Sequence, residues 1–227
     1  MNTSLVRPSA LSSRRGIAVA AATDAVLVAC DDAEALLSTS ERERAAAFRR
    51  PSDRRDFVAA HALVRLCAAA VLGEGPATLA VVQCCERCGG AHGQPVLADR
   101  SGWHVSLAHA SGVVAAAVAP AGVGVDVEGL DTARFAHGLP ATVMTADELA
   151  RVTAAASSGE AFLRVWVRKE ALVKLGVADL DRLARVDATA SFPELCWLDW
   201  THAAPPAVAS AVSHEPLELV SLDGLRG

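Results

Sequence analysis

The chain has 227 residues, a net charge of −5 and 52% hydrophobic residues, with no tyrosine and five phenylalanines. That length and apolar content exclude a disordered chain and support a sizeable core, built largely from alanine and valine. The acidic balance excludes a protein that coats nucleic acid, and no run approaches the ~20 apolar residues of a membrane-spanning helix.

In chain order, residues 1–22 read as a flexible tail. The run SSRRGIAVAAA imitates a twin-arginine signal, but Asp24 interrupts it and no cleavage region follows. An apolar strand is expected near Ala25–Cys30. Ser40 with Glu43 has the spacing of a capping box and opens a short helix that Pro51 stops. From Ser52 a longer helix follows, with Phe57, Ala60, Val64, Cys67 and Val71 at helical spacing and Gly73 closing it. Between Glu41 and Asp56 lie six arginines (42, 44, 49, 50, 54, 55) against four acids. One arginine-rich segment in an acidic chain suits a small polyanion better than DNA.

A strand and a glycine-rich loop come next, containing Cys85-x2-Cys88 and His92. This is half a zinc site, with no second ligand pair downstream, so the loop reads as free thiols. The six cysteines (30, 67, 84, 85, 88, 196) form no obvious disulfide framework. Cys30 and Cys67 sit in apolar runs and read as buried thiols of a reducing compartment. WHVSLAHASG alternates as a strand and turns at Ser111-Gly112. VVAAAVA and VGVDVEG, joined by Pro120-Ala121-Gly122, read as a hairpin. Helix is expected around Thr145–Val152 and over Glu160–Leu175, where Gly176 is the C-cap. CWLDW, AVASAVS and LELVSL read as short strands. The pattern is α+β.

Three places can carry chemistry. Asp126 and Glu128 alternate with Val125 and Val127, so both carboxylates share one strand face and could converge on a hard cation; an ordinary solvated face is the competing reading. On the last long helix Glu170 and Lys174 are i,i+4 neighbours, which alone is a plain surface pair. Phe162, Trp166 and Val173 form a core stripe beside them that could desolvate Glu170 enough for a metal ligand or base. His109, beside a small-residue turn, is either structural or an anion contact. Lysine occurs only at 169 and 174, against 19 arginines.

HVSLAHASG, VGVDVEG and FLRVWVRKEALVK, in this order, resemble the signature of the Sfp-type 4′-phosphopantetheinyl transferases: a Ser-His strand, G[IV]D[IV]E and WxxKEAxxK. The arginine-rich helix, FRRPSDRRDFVAAHALVR, and HGQPVL resemble the family's N-terminal half. The likeness spans roughly residues 25–185, and both lysines fall on the lysines of the last motif.

The resemblance implies an α+β fold of two similar α/β halves, a pseudo-dimer with the active site in the cleft between them. Residues 23–112 would make the nucleotide-end contacts and 113–227 would carry the metal and catalytic residues. It implies Mg²⁺-dependent transfer of phosphopantetheine from coenzyme A to a serine of an acyl or peptidyl carrier protein, by a cytoplasmic monomer, with release of 3′,5′-ADP. Asp126, Glu128 and Glu170 would hold Mg²⁺, with Glu170 also the base. Lys169 and Lys174 would contact coenzyme A, with Lys174 on the pyrophosphate. His109 would hold the 3′-phosphate, and Arg44 and Arg55 would meet the nucleotide end. Ala108, Ala110 and Gln94 depart from the pattern, which removes a hydroxyl and a basic contact there. A non-catalytic relative that binds coenzyme A or a carrier protein is the alternative, and the intact carboxylate set opposes it.

Overall fold

The computed structural model describes residues 15–84, 88–90, 93–130, 140–190 and 192–226. In chain order the elements are β1 (Gly16–Ala22), α1 (Thr23–Ala29), α2 (Thr39–Ala46), α3 (Pro51–Leu72), β2 (Val81–Gln83), β3 (Pro95–Leu97), β4 (His104–Ala110), β5 (Val113–Ala119) and β6 (Val123–Gly129). After these come α4 (Pro140–Val143), α5 (Ala146–Ala154), α6 (Ser158–Leu175), β7 (Cys196–His202), β8 (Ala207–Ser213) and β9 (Leu217–Leu219). The class is α+β, as the sequence predicts. One sheet runs β2-β3-β4-β5-β1-β9 and the other β6-β8-β7. All pairings are antiparallel except β1 with β9.

Side-chain alternation organises the layers. Ile17, Val19 and Ala21 of β1 join Val114, Ala116 and Val118 of β5 in the core under α3. Their alternates, Ala18, Val113, Ala115, Ala117 and Ala119, pack instead on Val123, Val125 and Val127 of β6 and Ala207, Ala209 and Ala211 of β8. Val208 and Val212, on the other face of β8, pack with apolar residues of α6. The order is therefore helix, sheet, sheet, helix. With alanine and valine between them the sheets come close, and the Val125 N–H reaches Ser106 Oγ on β4 at 3.0 Å.

Both long helices are tied down alike. Ser38 and Glu41 form a capping box at the start of α2. The Glu41 carboxylate then accepts from His61 Nδ1 at 2.6 Å and Arg65 Nη2 at 2.7 Å on α3. Thr145 and Glu148 form a second capping box, opening α5. Glu148 pairs with Lys169 of α6 at 2.8 Å, both fully buried. Burial would raise the Glu41 pKa, but the His61 hydrogen bond, the His61 and Arg65 charges and the Ser38 N–H outweigh it and hold the carboxyl at about 2.

Several expectations are corrected. Residues 16–22 are not tail but a central, buried strand, and the strand expected over Ala25–Cys30 is helix α1. GIAVAAA reads as a featureless apolar run because the strand is covered on both faces. The capping box is Ser38/Glu41 rather than Ser40/Glu43, because Glu41 faces the cations of α3 whereas Glu43 is exposed. Residues 113–129 form no hairpin: β5 pairs with β4 and β1, β6 pairs with β8, and the chain crosses between sheets at 120–122. Consequently β5 belongs with the first sheet, not with the half expected from 113 onward, and β9 also returns to it. Of the two thiols expected to be buried, Cys67 is, and burial pushes its pKa up; Cys30 is only half-buried. Among the described residues no helix is long and apolar enough to cross a membrane.

Candidate active site

Strand β6 is an edge strand whose polar face lies under α6. Gly124 makes the contact possible, since a Cβ there would stand 2.0 Å from the Ala171 carbonyl oxygen of α6. The next two residues on that face are Asp126 and Glu128. Asp126 is 7% exposed. Its Oδ1 accepts from Lys174 Nζ at 2.7 Å, and its Oδ2 is buried with no hydrogen-bond partner among the described residues. Lys174 also donates to the Val125 carbonyl at 3.0 Å. Glu128 Oε1 accepts from Trp166 Nε1 at 3.3 Å, and Trp166 stacks on Phe162.

Burial pushes the Asp126 pKa up, with Lys174 pulling against it. Burial, and then the Asp126 charge, push Glu170 up as well. Asp126, Glu170 and Lys174 therefore interact where β6 passes under α6, with Glu128 further along the same strand face. Lys174 is engaged by Asp126 rather than forming the plain i,i+4 surface pair with Glu170.

Glu128 also lines a cleft of about 820 Å³ whose other walls include Phe48, Arg50, Arg55, Asp56 and His109. The sheets meet at its floor, where Gly129 lies against Ser111, and Gly112 faces Pro205. The Ser111-Gly112 turn has positive φ at both residues, 50° and 85°, as a tight hairpin requires. Buried Asp56 secures it, accepting from the Gly112 N–H at 3.1 Å and the Thr23 hydroxyl at 2.5 Å. His109 sits edge-on to Phe57. Burial lowers its pKa, Asp56 opposes, and the His61, Lys174 and Arg44 charges lower it further. Arg44 lies over the Phe57 ring, 5.4 Å from its centre. Arg55 pairs with Asp24 at 2.5 Å. On the side of the N-terminal helices the cleft thus mixes Arg50, Arg55 and His109 with Asp24, Asp53 and Asp56, and on the β6 side it presents Glu128.

Most of the expected residues lie in this region: Asp126 and Glu128 on β6, Glu170 and Lys174 on α6, and His109, Arg44 and Arg55 toward the N-terminal helices. Lys169 does not. It is fully buried, donates to the Leu183 and Val186 carbonyls and pairs with Glu148, so the expectation that it contacts coenzyme A is corrected. Its neighbour Glu170 faces elsewhere because adjacent helical residues project ~100° apart. Ala108 faces the inter-sheet core rather than the cleft, and Gln94 is exposed. Cys85, His92 and His137 lie outside the described residues.

Arg50 and Asp56 line the cleft and were not singled out from sequence; the Arg-Pro step opening α3 was the available signal. Among the described residues no three His, Cys, Asp or Glu side chains form a ready-made metal cage. Even so, the orphaned Asp126 Oδ2 and the all-oxygen donor set fit a hard divalent cation. Among known families, residues 122–203 match the model described as 4′-phosphopantetheinyl transferase superfamily. That segment contains Asp126, Glu128, Glu170 and Lys174. No curated protein matches the chain.

Proposed function

We propose, from the match of residues 122–203 to the 4′-phosphopantetheinyl transferase superfamily, that the chain transfers the 4′-phosphopantetheine group of coenzyme A to a serine of an acyl or peptidyl carrier protein. The observation that carries this reading is that Asp126 interacts with both Lys174 and Glu170 on the same strand face as Glu128, which lines a cleft that also holds His109 and Arg55.

In this reading the serine oxygen attacks the phosphorus on the pantetheine side of the pyrophosphate. The bond from that phosphorus to the bridging oxygen breaks, 3′,5′-ADP departs, and the serine proton passes to Glu170. A carboxyl raised by burial and by Asp126 suits that role. Asp126, Glu128 and Glu170 would hold Mg²⁺, which when bound neutralises pyrophosphate charge. Lys174 exchanges its contact with Asp126 for the pyrophosphate, and its compact ammonium fits a close phosphate contact better than a guanidinium. His109, Arg44 and Arg55 take the nucleotide end. Positioning and charge neutralisation account for most of what phosphoryl transfer requires.

We also read the layers as two related halves, despite six strands against three. Each half pairs a capping-box glutamate with a buried cation on its long helix: Glu41 with Arg65, and Glu148 with Lys169.

The test is the intact mass of an apo carrier protein incubated with this protein, coenzyme A and Mg²⁺. A gain of one phosphopantetheine, lost in Glu170→Gln at saturating coenzyme A and Mg²⁺, is expected. No gain with any of a panel of acyl and peptidyl carrier proteins, or full activity of Glu170→Gln, would sink the reading.

A further inference from the structure

Ser106 lies on β4, three residues before His109, and is 2% exposed. It faces the second sheet, on the same side of β4 as Ala108, and its Oγ accepts the Val125 N–H in a buried hydrogen bond of 3.0 Å. Val125 immediately precedes Asp126 on the edge of the second sheet, where only β8 is a neighbouring strand. The N–H and C=O of one strand residue point to the same side. Those of Val125 point off the free edge, so neither is satisfied by a strand. Ser106 takes the N–H and Lys174 the C=O.

The geometry points to Ser106 as a positioning residue that fixes the carboxylate strand relative to the anion-binding strand. One hydroxyl sets the offset between His109 on β4 and Asp126 on β6, the two strands that would grip opposite ends of one ligand. Its neighbours cannot do this, because Ala108 and the facing valines pack without direction. The role becomes decisive when Lys174 turns to a phosphate. Val125 then loses its carbonyl partner, and the Ser106 hydroxyl keeps the Val125 N–H, and with it this edge of β6, tied to the first sheet.

This rests on the reading of Asp126 as a metal ligand, and the test separates the two. Mn²⁺ affinity is measured by electron paramagnetic resonance with 3′,5′-ADP present and no carrier protein. Hydrogen exchange at the Val125 amide, thermal stability, and kcat and KM for transfer are measured alongside. In Ser106→Ala the Val125 amide should exchange faster, and Mn²⁺ affinity should fall about 10- to 100-fold, as when an outer-shell support of a metal site is lost. The fall in kcat should exceed any change in KM for coenzyme A. Ser106→Thr, which keeps the oxygen, should recover Mn²⁺ affinity even if its melting temperature is lower. Should Ser106→Ala not fold, Ser106→Cys, with a weak sulfur acceptor in nearly the same shape, carries the same expectations in reduced form. Lower stability alone, with Mn²⁺ affinity and kcat unchanged, would overturn the positioning role while leaving transfer by the wild type intact. A wild type that modifies no carrier protein, yet loses Mn²⁺ affinity in Ser106→Ala, would sink the transferase reading and keep the positioning role. A wild type that binds no Mn²⁺ would end both.

Discussion

Asp126 is a poor choice for stability: its carboxylate is buried, one oxygen lacks a hydrogen-bond partner among the described residues, and burial raises its pKa. A carboxyl raised in the folded state makes the fold bind more protons than the unfolded chain. Stability is therefore lost as pH climbs from the ordinary Asp value through the raised one. Asp126→Asn should accordingly leave the melting temperature at pH 7 unchanged or higher, with the advantage shrinking toward pH 4. Turnover should fall about 10²- to 10³-fold, as when a preorganised electrostatic group is removed. Thermal melts at both pH values and a transfer assay decide it, and a melting point lowered by many degrees would contradict it.

His109 makes the complementary case. Its pKa is depressed in the free protein, and a phosphate beside it would raise it, so binding takes up a proton between the two values. Affinity for 3′,5′-ADP should rise as pH falls from 8 toward 6, and calorimetry on His109→Gln should lose that slope.

At the scale of elements, the buried pairs fix α3 and α6 on their sheets and thereby set which helical residues reach the cleft. Lys169→Met leaves Glu148 buried without its partner and should cost about 3–5 kcal/mol. Lys169→Met combined with Glu148→Leu should recover most of that loss, because two apolar groups can replace a buried pair. Turnover per folded molecule should survive in the double variant, which separates Lys169 from its neighbour Glu170; denaturant unfolding and kinetics together test this. In the other half, Glu41 is held at about 2 from an ordinary 4.5. Its contribution is present above 4.5 and lost as pH falls toward 2. Urea melts should show wild-type stability dropping more steeply across that window than that of Glu41→Gln.

For the molecule as a whole, the spacing between the two sheets decides whether the nucleotide-end residues and the carboxylates act on one ligand. That spacing is set by small side chains such as Ala115, Ala117 and Ala119 against Val123, Val125 and Val127. Ala117→Leu should overpack this interface at a cost of about 1–3 kcal/mol. It should also weaken coenzyme A binding, because His109 and Asp126 sit on opposite sheets. Chemical unfolding together with coenzyme A titration would test both. A stability loss with unchanged affinity would show that the sheets yield without moving the site.

What the sequence determined by itself were features written in local spacing. α6 and its glycine cap follow from a 3.6-residue period and Gly176, and α3 from the same period between Ser52 and Gly73. The shared face of Asp126 and Glu128 follows from strand alternation, and the family motifs that singled out Glu170 and Lys174 are contiguous. Tertiary structure decided what depended on distant partners. GIAVAAA became a strand because both its faces are covered, which no period records. The apparent hairpin of 113–129 was split because β5 and β6 find better partners in different sheets. Lys169 was taken from the cleft by Glu148 and two carbonyls reached through folding. Even the support of Asp126 by Ser106 joins residues 19 apart along the chain, and only the close approach of two alanine-lined sheets brings them within a hydrogen bond.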